Sequence, residues 1–140
     1  MANEEYLVDT NVVSELMKAK PHEKVISWLC DNSDSLRLSS VTVKELYFGA
    51  LRMDEGRRKR ALLASIENIV ALYDADVFDF DKRAAIMCAK LHVYALKAGK
   101  MPTVEDLMIA ATALTNNLVV ATRNIKDFDY LGVRCVNPFE

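Results

Sequence analysis

Short β-rich runs alternate along this chain with longer stretches of helical periodicity, and that alternation limits the available folds more than any other feature. Tyr6-Leu7-Val8 is the first run, closed by Asp9-Thr10-Asn11, residues that favour helix caps. Leu36-Arg37-Leu38, Val77-Phe78-Asp79-Phe80, Leu118-Val119-Val120-Ala121 and Val133-Arg134-Cys135-Val136 read as four further strands. Between the first two, Val12, Val13, Leu16 and Met17 recur at helical spacing up to a break at Lys18–Pro21, and Pro21 opens a helix carrying Val25, Ile26, Trp28 and Leu29. Ser39-Ser40 precedes a helix from about Val41 to Met53. After the Asp54-Glu55-Gly56 turn, Leu62, Leu63, Ile66, Ile69 and Val70 mark another. Asp81 caps a helix that runs to Lys97 and stops at Gly99, and Pro102-Thr103 starts one from Val104 to about Asn116. Strands separated by helices at these intervals imply βαβ crossovers, so the expected class is α/β, a mainly parallel sheet with helices on both faces.

At 140 residues, with no internal repeat or linker, the chain is expected to be one domain, residues 1–140. Eighteen Lys plus Arg against twenty Asp plus Glu give a net charge of −2, which excludes a bulk-basic nucleic-acid binder while leaving room for a local basic patch. No apolar run approaches the roughly 18 residues of a membrane span. The acidic stretch Met1 to Glu5 carries no basic segment of a signal peptide, so a cytoplasmic protein without a membrane partner is expected. Cys30, Cys88 and Cys135 are odd in number and far apart, which fits reduced, mostly buried thiols rather than a disulfide frame or a zinc site.

In open α/β sheets, sites form beyond the carboxyl ends of the strands. Asp9 ends the first strand, Glu45 lies a turn into the helix after the second, Asp106 is in the first turn of the helix after Pro102, and Asp127 follows Leu118–Ala121 within a few residues. Glu45 and Asp106 sit in stretches that are apolar almost all round, where an ionised carboxylate is expensive unless paired or metal-bound. Each acid alone has an ordinary reading: Asp106 as a helix-start acid favoured by the dipole, Glu45 as a partner of Arg52 or Lys44. Four acids converging on one sheet edge point instead to a site. Carboxylates without a nearby His or Cys suit a hard cation, Mg²⁺ or Mn²⁺, and one or two such ions can activate water for phosphodiester hydrolysis. His22 and His92 lie in helical patterns far from these acids, and no phosphate-binding glycine loop or nucleophile elbow occurs.

Tyr6-Leu7-Val8-Asp9-Thr10-Asn11, Ser40–Leu46, Glu105–Ala113 and Ala121–Phe128, in this order, resemble the motifs of the PIN-domain ribonucleases, in particular the VapC-type toxins of VapBC toxin–antitoxin pairs and their FitB-like branch. The resemblance spans Tyr6 to about Pro138. It implies a three-layer α/β/α sandwich with a five-stranded parallel sheet and Mg²⁺-dependent endonucleolytic cleavage of RNA by metal-activated water. By position, Asp9, Glu45 and Asp106 match the family's three acidic metal ligands, and Asp127 its more variable fourth, with Asn124 as the alternative. Asp106 rather than Glu105 fits, standing three residues before Ile109-Ala110-Ala111. Thr10, Asn11 and Thr122 match small polar residues that support the ligands. The resemblance also implies a homodimer, a small antitoxin that inserts a segment into the acidic pocket, and operator DNA bound only through the antitoxin complex.

Arg57-Arg58-Lys59-Arg60, with Arg52 nearby, is the one basic cluster, readable either as an RNA contact or as a solvated helix start. Arg123 is open in the same way to phosphate contact or to pairing with an acid. Two rivals remain on the residues. The first strand also resembles that of Mg²⁺-dependent haloacid-dehalogenase-like phosphatases, but Asn11 stands where that chemistry needs a second Asp. A PIN-like binding module without turnover would be favoured by loss of one of the first three acids, and none is lost.

Overall fold

A computed structural model describes residues 3–140; Met1 and Ala2, the start of the acidic N-terminal stretch, lie outside the described residues. The five strands are β1 (Tyr6–Val8), β2 (Leu36–Ser39), β3 (Val77–Phe78), β4 (Val119–Ala121) and β5 (Cys135–Val136). The helices are α1 (Thr10–Val13), α2 (Glu23–Asp31), α3 (Ser40–Leu51), α4 (Arg57–Leu72), α5 (Lys82–Lys97) and α6 (Val104–Thr115). The strands form a single parallel sheet in the order β3-β2-β1-β4-β5. The chain builds outward from β1 on one side through β2 and β3, then returns to the other side with β4 and β5, which makes the β1/β4 boundary the topological switch point.

Side chains alternate across a strand, and β1 divides the core accordingly. Leu7 joins a cluster with Leu91, Ala95, Leu107, Ala110 and Val120 under α5 and α6, while Val8 joins Val12, Val25, Leu38, Leu46 and Ile66 under α1 to α4. Two apolar layers on opposite faces of one sheet make the expected α/β/α sandwich. Each 3.6-period helix supplies one of them.

The helix stops are local chemistry. Gly99 (φ 75°) ends α5, with the Lys100 N–H donating to Ala95 O at 2.9 Å; Asn117 (φ 54°) ends α6 in the same way, with Leu118 N–H on Ala113 O at 2.9 Å. The first helical segment is shorter than its apolar spacing implies. After Val13 it tightens to a 3₁₀ turn over Ser14–Met17, where Glu15, 3% exposed, takes the Lys18 ammonium and the His22 N–H (2.9 Å) and draws the chain into α2. Pro21 therefore precedes the cap residue, His22, and α2 begins at Glu23. β3 stops at Phe78, because the Phe80 N–H is taken by Ser40 Oγ at 3.1 Å rather than by a strand. All three cysteines are free; Cys88 and Cys135 are half-buried, whereas Cys30 is exposed on α2, against the expectation of mostly buried thiols.

Candidate functional site

The parallel register pairs Leu7 with Val120 and Val8 with Ala121, so Asp9 and Thr122 emerge side by side at the carboxyl edge. The Asp9 N–H completes the ladder on Ala121 O at 2.9 Å, and Asp9 then caps α1. Its carboxylate, 6% exposed, accepts Thr10 N–H on Oδ1 at 2.8 Å and, on Oδ2, Thr122 Oγ1 at 2.8 Å and Asn11 Nδ2 at 3.3 Å. Thr122 Oγ1 also accepts the Asn124 N–H at 3.0 Å, and Asn11 Oδ1 accepts the Arg123 N–H at 3.1 Å, so the loop after β4 is tied to the loop after β1.

The other acids come in from three directions. Ser39 caps α3 at the end of β2, placing Glu45 about one turn in; Glu45 Oε1 accepts Thr10 Oγ1 at 2.8 Å. Thr103 caps α6 by accepting the Asp106 N–H at 3.1 Å, which sets Asp106 in the first turn. Asp127 closes a 3₁₀ turn, Ile125–Asp127, with its N–H on Asn124 O at 3.0 Å. Neighbouring residues on a helix point about 100° apart. Glu105 accordingly turns away and pairs with Lys44 at 3.4 Å; its own backbone N–H first and then Lys44 hold its carboxyl below the ordinary range, while Asp106 faces the crevice.

The electrostatics are those of a crowded, uncompensated group. Burial pushes the Asp9 carboxyl up, against its Thr122, Thr10 and Asn11 hydrogen bonds, and the Asp127 charge adds to it. Glu45 is likewise raised, by burial first and then by Asp9 and Glu105. Asp106 is raised from 3.8 to about 6, by burial and then by Asp9, Asp127 and Glu45. Among the described residues, none of the four carboxylates is ion-paired with Lys, Arg or His. Such a set of hard oxygens fits a divalent cation, which would neutralise charge the protein leaves unbalanced. The side chains flank a shared edge rather than closing on one point: among the described residues no three His, Cys, Asp or Glu side chains form a closed ligand group. An ion that keeps several of its waters, as Mg²⁺ does, suits that openness.

Asp106 and Asp127 also line a crevice of about 280 Å³ with Lys100, Met101, Pro102, Thr103, Lys126 and Tyr130. Lys100, Lys126 and Tyr130 carry no sequence signal that separates them from ordinary surface residues; only the end of α5 and the turn after β4 bring them together. The basic cluster is not brought to the acids. α3 starts at the carboxyl edge and runs away from it for about 18 Å, and Arg57–Arg60 open α4 beyond its far end. Arg57, Arg58 and Arg60 are exposed there, but Lys59 is only 9% exposed and bound to Glu55 at 2.5 Å, so it offers no phosphate contact. Arg123 pairs with no acid among the described residues; its guanidinium lies 4.7 Å from the Phe139 ring centroid.

Residues 6–132 match the PIN domain family. The chain is 36% identical over 136 residues to the VapC ribonuclease Y4jK of Sinorhizobium fredii, covering 96% of this chain and 97% of that protein. It is 37% identical over 139 residues to toxin FitB of Neisseria gonorrhoeae, covering 95% and 97%. A solved structure of DNA-bound VapBC from Salmonella typhimurium shares the fold with a TM-score of 0.84 at 28% identity, covering 97% of this chain and 99% of that one.

Proposed function

The chain belongs to the PIN domain family, and from that premise we propose that it is a metal-dependent endoribonuclease, the toxin of a type II toxin–antitoxin module. The observation that carries this reading is the cluster of Asp9, Glu45, Asp106 and Asp127 at the β1/β4 switch point, without a counter-cation and with the first three raised in pKa. Mg²⁺, or Mn²⁺ in its place, is the ion proposed for these four carboxylates, where it would supply an acidified water and positive charge at the scissile phosphate. The chain's own groups hold the donors still. Thr122, Asn11 and the Thr10 N–H fix both oxygens of Asp9, Thr10 Oγ1 fixes Glu45, and the Thr103 cap fixes Asp106 at the head of α6. Because Asp106 titrates at about 6, protons compete with the ion, and occupancy should rise from about pH 5 toward about pH 8.

Proposed partners are RNA as substrate, a cognate antitoxin and a second copy of the chain, with operator DNA reached through the antitoxin. The relatives' names support the first two. An apolar strip on α5, with Ile86, Val93 and Leu96 each more than half exposed, supports a protein partner. Among the described residues no helix is long and apolar enough to cross a membrane.

The test is cleavage of a mixed RNA substrate with Mg²⁺, with EDTA, and by Asp9→Asn beside the wild type. Cleavage by the wild type with Mg²⁺, lost in both controls, is the expected result. Cleavage that survives both, or metal binding and cleavage both missing from the antitoxin-free wild type, would overturn the reading, the latter in favour of a binding module.

A further inference from the structure

We propose that the crevice beside Asp106 and Asp127 is a phosphate subsite for the RNA strand, in which Lys100 and Lys126 hold the phosphodiester next to the one being cleaved and Tyr130 positions Lys100. The subsite rests on the nuclease reading and adds to it where the strand lies.

A strand approaching four carboxylates is repelled unless cations stand beside them, and the arginines at the head of α4 are too far away to serve. Among the described residues, Lys100 and Lys126 are the only cations lining the crevice that Asp106 and Asp127 share. Yet neither ammonium forms an ion pair there with either acid or with any other described residue. The neighbouring hollow on the other flank of α6, lined by Ser40, Val41, Phe80, Met108 and the Lys44–Glu105 pair, differs in just this respect, since its lysine is already engaged at 3.4 Å.

Both free lysines are held by the frame that holds the acids. Lys100 follows the left-handed Gly99, its backbone N–H is fixed on Ala95 O at 2.9 Å, and its Nζ lies 5.4 Å from the ring centroid of Tyr130, which lines the same crevice, a cation–π contact. Lys126 shares the 3₁₀ turn of Asp127, which Asn124 and Thr122 link back to Asp9. The backbones from which both lysines project are therefore anchored to the frame that carries the acids. A volume of about 280 Å³ accommodates a phosphate with its sugar.

The test uses a short, fluorescein-labelled single-stranded RNA of mixed sequence. Its binding to the wild type, Lys100→Ala/Lys126→Ala, Lys100→Arg/Lys126→Arg and Arg57→Ala/Arg58→Ala/Arg60→Ala is followed by anisotropy in EDTA over a range of NaCl. Removing one cation from a phosphate lowers the slope of log K against log salt by about 0.7 for a single strand. The alanine pair should lower the slope by about 1.4, the arginine pair should retain it, and the α4 triple variant should bind as the wild type does. With Mg²⁺, the alanine pair should raise KM roughly tenfold with little change in kcat, as a loss of binding common to ground and transition states does. Tyr130→Ala should shift KM in the same direction and Tyr130→Phe, which keeps the ring face, should not. A wild type that cleaves RNA while the alanine pair leaves slope and KM unchanged refutes the subsite and leaves the nuclease reading standing. A lysine-dependent slope in a wild type that neither binds Mg²⁺ nor cleaves RNA refutes the nuclease and leaves the crevice as a phosphate-binding site only.

Discussion

Asp106→Asn should make the metal-free protein more stable at about pH 8, and the gain should fade on acidification. In the wild type, burial and the charges of Asp9, Asp127 and Glu45 raise this carboxyl from 3.8 to about 6. Between those values the folded state keeps a proton that the unfolded state gives up. The ionised carboxylate thus costs the fold stability above about pH 6; the cost shrinks as pH falls through the folded value and is gone below the unfolded one. At about 1.4 kcal/mol per tenfold change in proton affinity, the ceiling is about 3 kcal/mol. Solvent reaches this half-buried side chain and roughly halves that figure. A carboxylate in the first turn of α6 also gains about 0.5 kcal/mol from the helix dipole, which the variant forfeits. The net gain is about 1 kcal/mol, and at about 2.1 cal/mol/K per residue it raises Tm by about 3 °C. The assay is thermal unfolding by circular dichroism, in EDTA and at fixed protein concentration, from about pH 8 down to about pH 4. Excess Mg²⁺ should reverse the order, because only the wild type keeps the full ligand set and gains from mass action. A variant less stable than the wild type at about pH 8 in EDTA, or a gap that does not change with pH, would refute the electrostatic reasoning.

Thr122→Val keeps the shape of a fully buried side chain but removes the donor to Asp9 Oδ2 and the acceptor for Asn124 N–H. Mn²⁺ affinity by titration calorimetry should fall about 10–100-fold, and unchanged affinity would mean that Asp9 needs no help to point at the ion. Glu105→Gln breaks only a solvent-exposed pair with Lys44, so stability should change by less than about 1 kcal/mol and RNA cleavage should persist; loss of cleavage equal to that of Asp106→Asn would place Glu105 in the site. Leu38→Ala opens a void in the apolar layer between β2 and α3 and α4, where Leu38 is 0% exposed, and should cost about 2–5 kcal/mol in denaturant titration. A cost under about 1 kcal/mol would mean the layer beneath α3 and α4 collapses freely around the gap.

The parts of the fold that were legible in the sequence are those set by local chemistry. Asp81 and Gly99 bound α5 as read, because a side-chain cap on Ala84 N–H and a left-handed stop act within a few residues. The ends that differ are those decided by distant partners. β3 loses Asp79 and Phe80 because Ser40, forty residues back in sequence, takes the Phe80 N–H. The outer strand pairs only at Cys135 and Val136, where β4 offers Val120 and Ala121. The same division holds at the site. Asp9 and Thr122 could be placed at strand ends, and the structure puts their side chains 2.8 Å apart because register is fixed by the apolar pattern. The choice between Glu105 and Asp106 rests on helix rotation together with the position of Lys44 on another helix, and the resemblance stood in for geometry there. Lys100 and Tyr130 were illegible, since their meeting depends on where two chain segments about thirty residues apart come to rest. The Arg57–Arg60 run was open in the sequence to an RNA contact or a solvated helix start, and what the sequence could not show is that Lys59 is consumed by Glu55 one helical turn away, a pairing that a count of charges does not reveal.

How the chain distributes its cations supports the idea that the acid cluster is kept unbalanced for use. Acids elsewhere, the buried Glu15 and the exposed Glu4, Glu5 and Glu55 alike, receive a cation: Glu15 takes Lys18, Glu5 takes Arg37, Glu4 takes Arg134, Glu55 takes Lys59, and Glu105 takes Lys44 within a helical turn of the site. The fold can therefore neutralise a carboxylate close to the carboxyl edge, and does so beside Asp106 while leaving Asp106 alone. Asp9 is buried more deeply than any of these except Glu15, and it is given only neutral donors, Thr122, Asn11 and a backbone N–H. Neutral donors fix the direction of a carboxylate's lone pairs without cancelling its charge, whereas a lysine would do both and exclude a metal. A site meant only for stability would use the lysine; one that must attract a divalent ion and then a polyanion has to carry uncompensated charge in the apo state. On that argument the instability predicted for the ionised apo protein and the proposed affinity for metal arise from the same group of side chains. Variants that remove one should remove the other in proportion.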